Sequence, residues 1–293
     1  MDDRTQIIFQ PDGSMFHIGL KPGEIARVIL LVGDPGRVEQ VKKFMDSVEI
    51  ERENREFRSF TGMYKQLKIT TLSTGIGTDN IDIVLNELDL LANYDRKSRS
   101  FYEEQQQLIL VRIGTSGSIQ EDLPPGTFVV SSHAIGTDGL LYCYKGGEKI
   151  MQEDFPGPFI RDVGWPAELA QPYLVPVDEK LFSILKDSNS ATGITISANG
   201  FYGPQGRSLR IPVARDHMLE NLAAYRYREQ RIANFEMETS AIFGLSLLMG
   251  HRAASVCAII ANRMTGEFLS DYKPAVDRMI EHVLNQLKNH FAP

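Results

Sequence analysis

Two short stretches carry the residue types best suited to chemistry. Phe201-Tyr202-Gly203-Pro204-Gln205-Gly206-Arg207 sets an aromatic face, an amide and a guanidinium close together. Gln205 donates and accepts at once, and Arg207 offers a rigid fork of donors. That combination suits the edge of a flat ring with imide-type groups, such as uracil. Asn234-Phe235-Glu236-Met237-Glu238 lies further along, with two carboxylates around a thioether. A carboxylate accepts from paired hydroxyls, and a methionine packs on an irregular apolar surface such as a sugar face. A base reader followed by a sugar reader points to a nucleoside.

Two glycine-containing turns add basic side chains. Gly33-Asp34-Pro35-Gly36-Arg37 joins an apolar run to a helix-compatible stretch. Glycine lets an anion approach the backbone, a helix start offers free N–H groups, and Arg37 adds charge. The same residues also make an ordinary capped turn with a solvated arginine. Arg112-Ile113-Gly114-Thr115-Ser116-Gly117 ends a second apolar run. A charged residue there needs a partner. The Thr115 and Ser116 hydroxyls with the glycine amides would complete a phosphate cradle; the alternative is a glycine-rich turn with Arg112 in a structural ion pair. Ser73-Thr74-Gly75-Ile76-Gly77-Thr78-Asp79-Asn80 imitates a dinucleotide fingerprint, but Asn80 stands where the third glycine belongs. It reads as a strand–turn–helix joint near the ligand.

Glu236 and Glu238 have no nearby histidine or aspartate and make a poor metal set, so no metal site is expected. On a strand end they would point oppositely, so at most one would face a ligand. Glu238 would also favour the dipole of a following helix. His17, in Phe16-His17-Ile18-Gly19-Leu20, and Arg55, in Arg55-Glu56-Phe57, carry no function by themselves. The six histidines are scattered without a triad pattern, and no G-x-S-x-G occurs.

The elements that must position these residues follow from patterning. Val28–Val32 is a continuous apolar run, read as a buried strand. Asp34 as N-cap and Pro35 as first helical residue predict a helix to about residue 45. Further strands are predicted at 65–72, 108–113, 127–131, 193–197 and 252–260. Helices are predicted at 79–93, 179–186, 217–230, 238–250 and 273–291. In the helix over 238–250, Ala241, Ile242, Leu245, Leu248 and Met249 make one apolar face. This alternation implies a single-domain α/β fold over residues 1–293, a three-layer αβα arrangement with a central mixed sheet. Residues 96–107 read as an exposed insertion or helix extension. Residues 143–172, rich in Gly and Pro, read as a long irregular segment.

Bulk properties narrow the function classes. The chain has 293 residues, 42% apolar and 24% charged, within the range of one globular α/β domain. A net charge of −7 argues against non-specific nucleic-acid binding. The two cysteines, Cys143 and Cys257, form neither a metal spacing nor a disulfide framework, and Cys257 reads as a small buried hydrophobe. Met1-Asp2-Asp3-Arg4 does not open a secretory signal, and no apolar stretch reaches membrane-span length. A cytoplasmic protein without membrane or nucleic-acid partners is expected.

Taken in order from Phe16 to Arg263, these pieces resemble the nucleoside phosphorylase-I family, and within it the uridine phosphorylases. The resemblance implies reversible phosphorolysis of uridine to uracil and ribose 1-phosphate, with inorganic phosphate as co-substrate and no organic cofactor. It implies that Gly33, Arg37, Arg112 and Thr115 hold phosphate. Arg55 would reach the phosphate of a neighbouring subunit's site, and His17 that site's ribose 5′-hydroxyl. Met237 and Glu238 would hold the ribose, with Glu236 nearby. Phe201, Gln205 and Arg207 would face the base; Gly117, Ile260 and Ala261 would line its pocket, with Arg263 behind. Arg112, Gln205, Arg207 and Glu238 would carry the catalysis. Two borrowed residues imply a homo-oligomer with the dimer as minimal active unit.

Purine-cleaving members carry an aspartate after the late apolar strand, whereas Ile260-Ala261-Asn262-Arg263 has no acid. Three departures stand out. Asn80 replaces a serine linked to a monovalent cation at the dimer interface, although Glu56 and Ile76 match that site, which leaves potassium open. The insertion at 96–107 leaves the hexamer open. Ala261 replaces a larger residue and widens the pocket toward 5-substituted uracils. Alternative readings are a broader phosphorylase accepting deoxyuridine or thymidine, a nucleoside hydrolase, and a non-catalytic nucleoside-binding protein.

Overall fold

A computed structural model describes residues 6–293, so the expectation about Met1-Asp2-Asp3-Arg4 lies outside the described residues. In chain order the elements are β1 (Val28–Val32), α1 (Pro35–Lys42), β2 (Ser47–Asn54), β3 (Phe57–Tyr64), β4 (Leu67–Ser73) and α2 (Thr78–Asn93). Then come β5 (Tyr94–Asp95), β6 (Ser100–Phe101), β7 (Ile109–Ser118), β8 (Phe128–Gly136), α3 (Gly147–Ile150), α4 (Pro156–Val163), β9 (Tyr173–Pro176) and α5 (Glu179–Leu185). The chain finishes with β10 (Ser190–Ser197), α6 (Met218–Ala224), β11 (Arg226–Tyr227), β12 (Gln230–Glu236), α7 (Thr239–Leu248), β13 (Arg252–Asn262) and α8 (Lys273–Phe291).

The apolar run at the start does become a central strand. β1 pairs in parallel with β4 on one side and β7 on the other, and all five of its residues are buried. One eleven-stranded mixed sheet runs β11-β12-β10-β8-β13-β7-β1-β4-β3-β2, with β9 added to β8. β12 also pairs with β7, Phe235 opposite Gly117 and Asn234 opposite Ser118. That extra pairing curls β7, β13, β8, β10 and β12 into a closed ring. A buried polar chain fixes it: Thr195 Oγ1 donates to Asn234 Oδ1 at 2.7 Å, and Asn234 Nδ2 donates to Ser116 Oγ at 2.8 Å. Helix α2 packs on α7, while α8 packs on α1 and α5, and the two groups flank the sheet.

Several expected boundaries shift for identifiable reasons. Asp34 caps α1 through Gly36 N–H (2.8 Å), but the helix stops at Lys42. The helix expected over 217–230 ends at Ala224. Arg228 and Glu229 adopt left-handed φ values of 46° and 66° and turn the chain into β12. The segment 143–172 is not wholly irregular: it holds α3 and α4, and α4 starts on Pro156 at a position where a missing N–H costs nothing. Phe155 and Phe159 of that segment are fully buried. Residues 96–107 are exposed, as expected, but carry part of a small β5–β6 ladder rather than a helix extension. The β2–β3 hairpin has no counterpart in the expected elements. Among the described residues no helix is long and apolar enough to cross a membrane.

Candidate active site

The C-terminal ends of β1, β4, β7, β10, β12 and β13 open into one cavity of about 1090 Å³. Strand ends of an α/β sheet are where ligand-contacting side chains gather. Fourteen of the residues expected to act there do line this space: Gly33 and Arg37 after β1; Arg112, Thr115 and Gly117 on β7; Phe201, Gln205 and Arg207 after β10; Glu236, Met237 and Glu238 at and after the end of β12; Ile260, Ala261 and Arg263 on and after β13. Glu56, Ile76 and Asn80 meet at its edge. Phe268 and Tyr272 also line it, and neither carries a sequence signal, because they lie beyond the last motif.

The basic wall is buried. Arg112 is 5% exposed, and its guanidinium folds back over Gly114, where a Cβ would lie 1.6 Å from Nη1. Only glycine leaves that space. Arg112 Nη2 is paired with Glu238 and lies 3.1 Å from Glu236 Oε2. Nη1 donates to Cys257 Sγ at 3.0 Å, so the cysteine does more than fill space. Burial pushes that thiol up to about 11, which keeps it neutral. Burial also works to lower the pKa of Arg112, but Glu236 and Glu238 outweigh it and hold the guanidinium above its ordinary value.

Arg37 is a different case. It is 6% exposed, and its guanidinium donates from Nη1 to Ile113 O at 3.3 Å. Its Nε is buried without a partner. Burial, then repulsion from Arg112, pulls its pKa below the ordinary value. A buried cation with an unused donor, beside the first turn of α1, is built to receive an anion.

The carboxylates correct the alternation argument. β12 ends at Glu236, and the bend at Met237 and Glu238 breaks the strand geometry, so both side chains meet Arg112. Glu236 is saturated: its oxygens accept from Ser197 Oγ (2.5 Å), Glu238 N–H (2.9 Å) and Thr239 N–H (3.0 Å). It is Glu236, not Glu238, whose side chain caps α7. Glu238 accepts from Gly77 N–H at 2.8 Å and from Arg112. Burial raises the pKa of Glu238; Arg112 opposes that shift, and Glu236 adds to it.

Opposite this charged wall, Arg207 stacks on Phe201, with 4.0 Å from its guanidinium carbon to the ring centroid. Its Nη1 donates to Gln205 Oε1 at 2.7 Å and to Phe201 O at 2.6 Å. Gln205 therefore spends its amide oxygen on Arg207 and keeps its amide nitrogen as a donor. Burial, then the charge of Arg263, brings the Arg207 pKa down to about 10. Arg263 Nη1 bonds Gln205 O at 2.8 Å from behind. A bulge in the β13–β7 register between Ile259 and Ala261 re-aims Ile260 and Ala261 toward the cavity. Asn262 is spent on structure: Nδ2 donates to Gln120 O (2.9 Å) and Leu123 O (3.1 Å), and Oδ1 accepts from Met264 N–H (2.9 Å).

His17 and Arg55 do not line this cavity; each packs against Phe16 instead. Arg55 sits at the β2–β3 turn (φ 55°), its guanidinium 4.9 Å from the centre of the Phe16 ring. Asn54 Nδ2 bonds Phe16 O (3.0 Å) and His17 O (2.7 Å). Among the described residues no group of three or more His, Cys, Asp or Glu could hold a metal ion.

The arrangement supplies two buried arginines, a carboxylate beside them, and an amide–guanidinium pair across the space. It suits a ligand with a sugar-like middle and a flat polar ring, next to an oxyanion. Comparison with known proteins agrees. Residues 27–288 match the family model described as the phosphorylase superfamily. A uridine phosphorylase of Thermococcus kodakarensis is 30% identical over 265 residues, covering 88% of this chain and 80% of the relative. A DeoD-type purine nucleoside phosphorylase of Listeria welshimeri is 29% identical over 252 residues, covering 86% and 88%. Among solved structures, a Trypanosoma brucei nucleoside phosphorylase described as showing uridine phosphorylase activity superposes with a TM-score of 0.84 at 30% identity, covering 97% and 99%.

Proposed function

The chain belongs to the phosphorylase superfamily, and from that premise we propose that it catalyses the reversible phosphorolysis of uridine to uracil and ribose 1-phosphate. The observation that carries this reading is the single cavity in which Arg37 and Arg112, Glu238, and the Gln205–Arg207 pair face one space. Breaking the glycosidic bond builds positive charge on the sugar and negative charge on the base. Phosphate held by Gly33, Arg37, Arg112 and Thr115, with Arg55 from a second subunit, serves as nucleophile and faces the cationic sugar. Met237 packs on the ribose, and Glu238 accepts from its hydroxyls. Glu236 keeps Arg112 and the start of α7 in place. Gln205 and Arg207 donate to the base as it becomes anionic, with Phe201 over its face, Gly117, Ile260 and Ala261 around it, and Arg263 bracing Gln205. Catalysis is orientation and electrostatic stabilisation, without a covalent intermediate on the protein.

Pyrimidine preference rests on Asn262. A purine base leaves readily when a nearby acid protonates it. Here the residue that ends the late strand is an amide already bonded to backbone on both sides. The reading includes a homodimer as active unit, inorganic phosphate as co-substrate and a role in pyrimidine salvage. A reducing, cytoplasmic setting fits the two free cysteines.

The test follows uracil release from uridine with and without phosphate, alongside inosine and thymidine. Uracil release is expected to fall to background without phosphate, with little cleavage of inosine. Release without phosphate would make the protein a hydrolase, and no turnover of any nucleoside would make it a binding protein. Arg207→Ala is expected to lower kcat/KM for uridine about a hundredfold by removing a donor to the departing base. Because Arg207 is only partly buried and bonds within its own loop, the variant's thermal midpoint should stay close to that of the unaltered protein. Near-full activity of this variant would remove the base-reading assignment.

A further inference from the structure

Glu87 lies in the middle of α2 and is buried, yet it belongs to neither the cavity nor a conventional ion pair. Its carboxylate gathers one short piece of chain: it accepts from His17 N–H at 3.1 and 3.2 Å, from Ile18 N–H at 2.8 Å, and meets His17 Nδ1 at 2.6 Å. An ionised carboxylate only accepts, so Nδ1 carries the hydrogen and Nε2 faces away from Glu87. The same helix begins at the cavity, where Gly77 N–H bonds Glu238. Ten residues of helix span roughly 15 Å. One helix thus ties the Glu238 carboxylate at the cavity to His17, whose side chain is partly exposed.

We propose that Glu87 is a positioning residue for the nucleoside: it fixes the tautomer and ring orientation of His17, so that Nε2 accepts the 5′-hydroxyl hydrogen of ribose bound in the adjoining subunit. This deepens the phosphorolysis reading above and rests on it. The backbone contacts hold the His17 segment, and the ring contact sets which nitrogen is available. Replacing the carboxylate by an amide preserves shape, but an amide N–H facing Nδ1 favours the opposite tautomer and turns Nε2 into a donor.

The test compares kcat/KM for uridine and for 5′-deoxyuridine, which lacks the hydroxyl. In Glu87→Gln, uridine is expected to lose about tenfold, in line with one misdirected hydrogen bond, while 5′-deoxyuridine changes little. His17→Ala should give the same selective pattern. The ratio of the two substrates does not depend on the fraction of folded enzyme. Should Glu87→Gln yield no soluble protein, Glu87→Asp, which keeps the charge, is read by the same ratio and is expected to lie between the two. Equal losses for both substrates in the Glu87 variants would make Glu87 merely structural and overturn the proposal, as would an unchanged uridine value. A selective loss in His17→Ala without one in Glu87→Gln would remove Glu87 while leaving His17 in its role. Failure of the unaltered protein to cleave uridine would instead remove the phosphorolysis reading itself.

Discussion

Arg37→Met is expected to abolish phosphorolysis while leaving the unliganded protein at least as stable as before. Arg37 is buried with an unpartnered Nε, and both burial and Arg112 disfavour its charge. An unsatisfied buried donor costs about 1–3 kcal/mol, and a methionine fills similar volume without that cost. A gain on the order of 1 kcal/mol corresponds to a midpoint rise of about 2 °C in a protein of this size. Activity should move the other way. Losing a cation from the site of the attacking phosphate should lower kcat/KM by about a thousandfold, with the loss expressed mainly against phosphate. Differential scanning calorimetry and phosphate titrations at saturating uridine measure the two effects. A variant that is both less stable and fully active would show that Arg37 serves the fold. Arg112 differs, because removing it leaves Glu236 and Glu238 buried together without their counter-ion. That variant is expected to lose stability as well, so Arg37 is the cleaner probe.

How far the sequence reveals this site depends on whether its signals are local. The turn at Gly33-Asp34-Pro35 is legible because strand end, cap and first helical residue each have a preferred residue type. Arg112 is legible because a charge in an apolar strand needs a partner, and the structure gives it the ion pair with Glu238 while leaving it on the cavity wall. The carboxylates were misread because alternation was carried past the strand end: one bend after Glu236 turns both toward Arg112. Helix α4 lacks such a signal: Phe155 stands at its N-cap without a side-chain bond, and Pro156-Gly157-Pro158 reads as a loop. The β12–β7 pairing and the β2–β3 hairpin depend on partners distant in sequence or on edge strands with polar faces, and no local pattern announces them. The hairpin matters most, because its turn carries Arg55.

Equal mixtures of Arg55→Ala and Arg37→Met subunits, each inactive alone, are expected to recover about a quarter of the unaltered activity once their subunits exchange. Arg55 and Glu56 are neighbours at the β2–β3 turn, yet Glu56 lines the cavity and Arg55 instead reaches toward the Phe16 ring. A guanidinium held over Phe16 does not line its own protomer's cavity, so its proposed part in the reaction is on a ligand of a second subunit. In the proposed two-fold dimer the contribution would be reciprocal, each subunit completing the other's site. In a random mixture half the dimers are mixed, and each mixed dimer has one site with Arg37 from one subunit and Arg55 from the other. The other site in that dimer lacks both. Activity rising on mixing, with mixed dimers verified by native mass spectrometry, is the expected result. Mixed dimers with no regained activity would mean that each protomer's cavity works alone, and Arg55 and His17 would then belong to the surface rather than to a shared site.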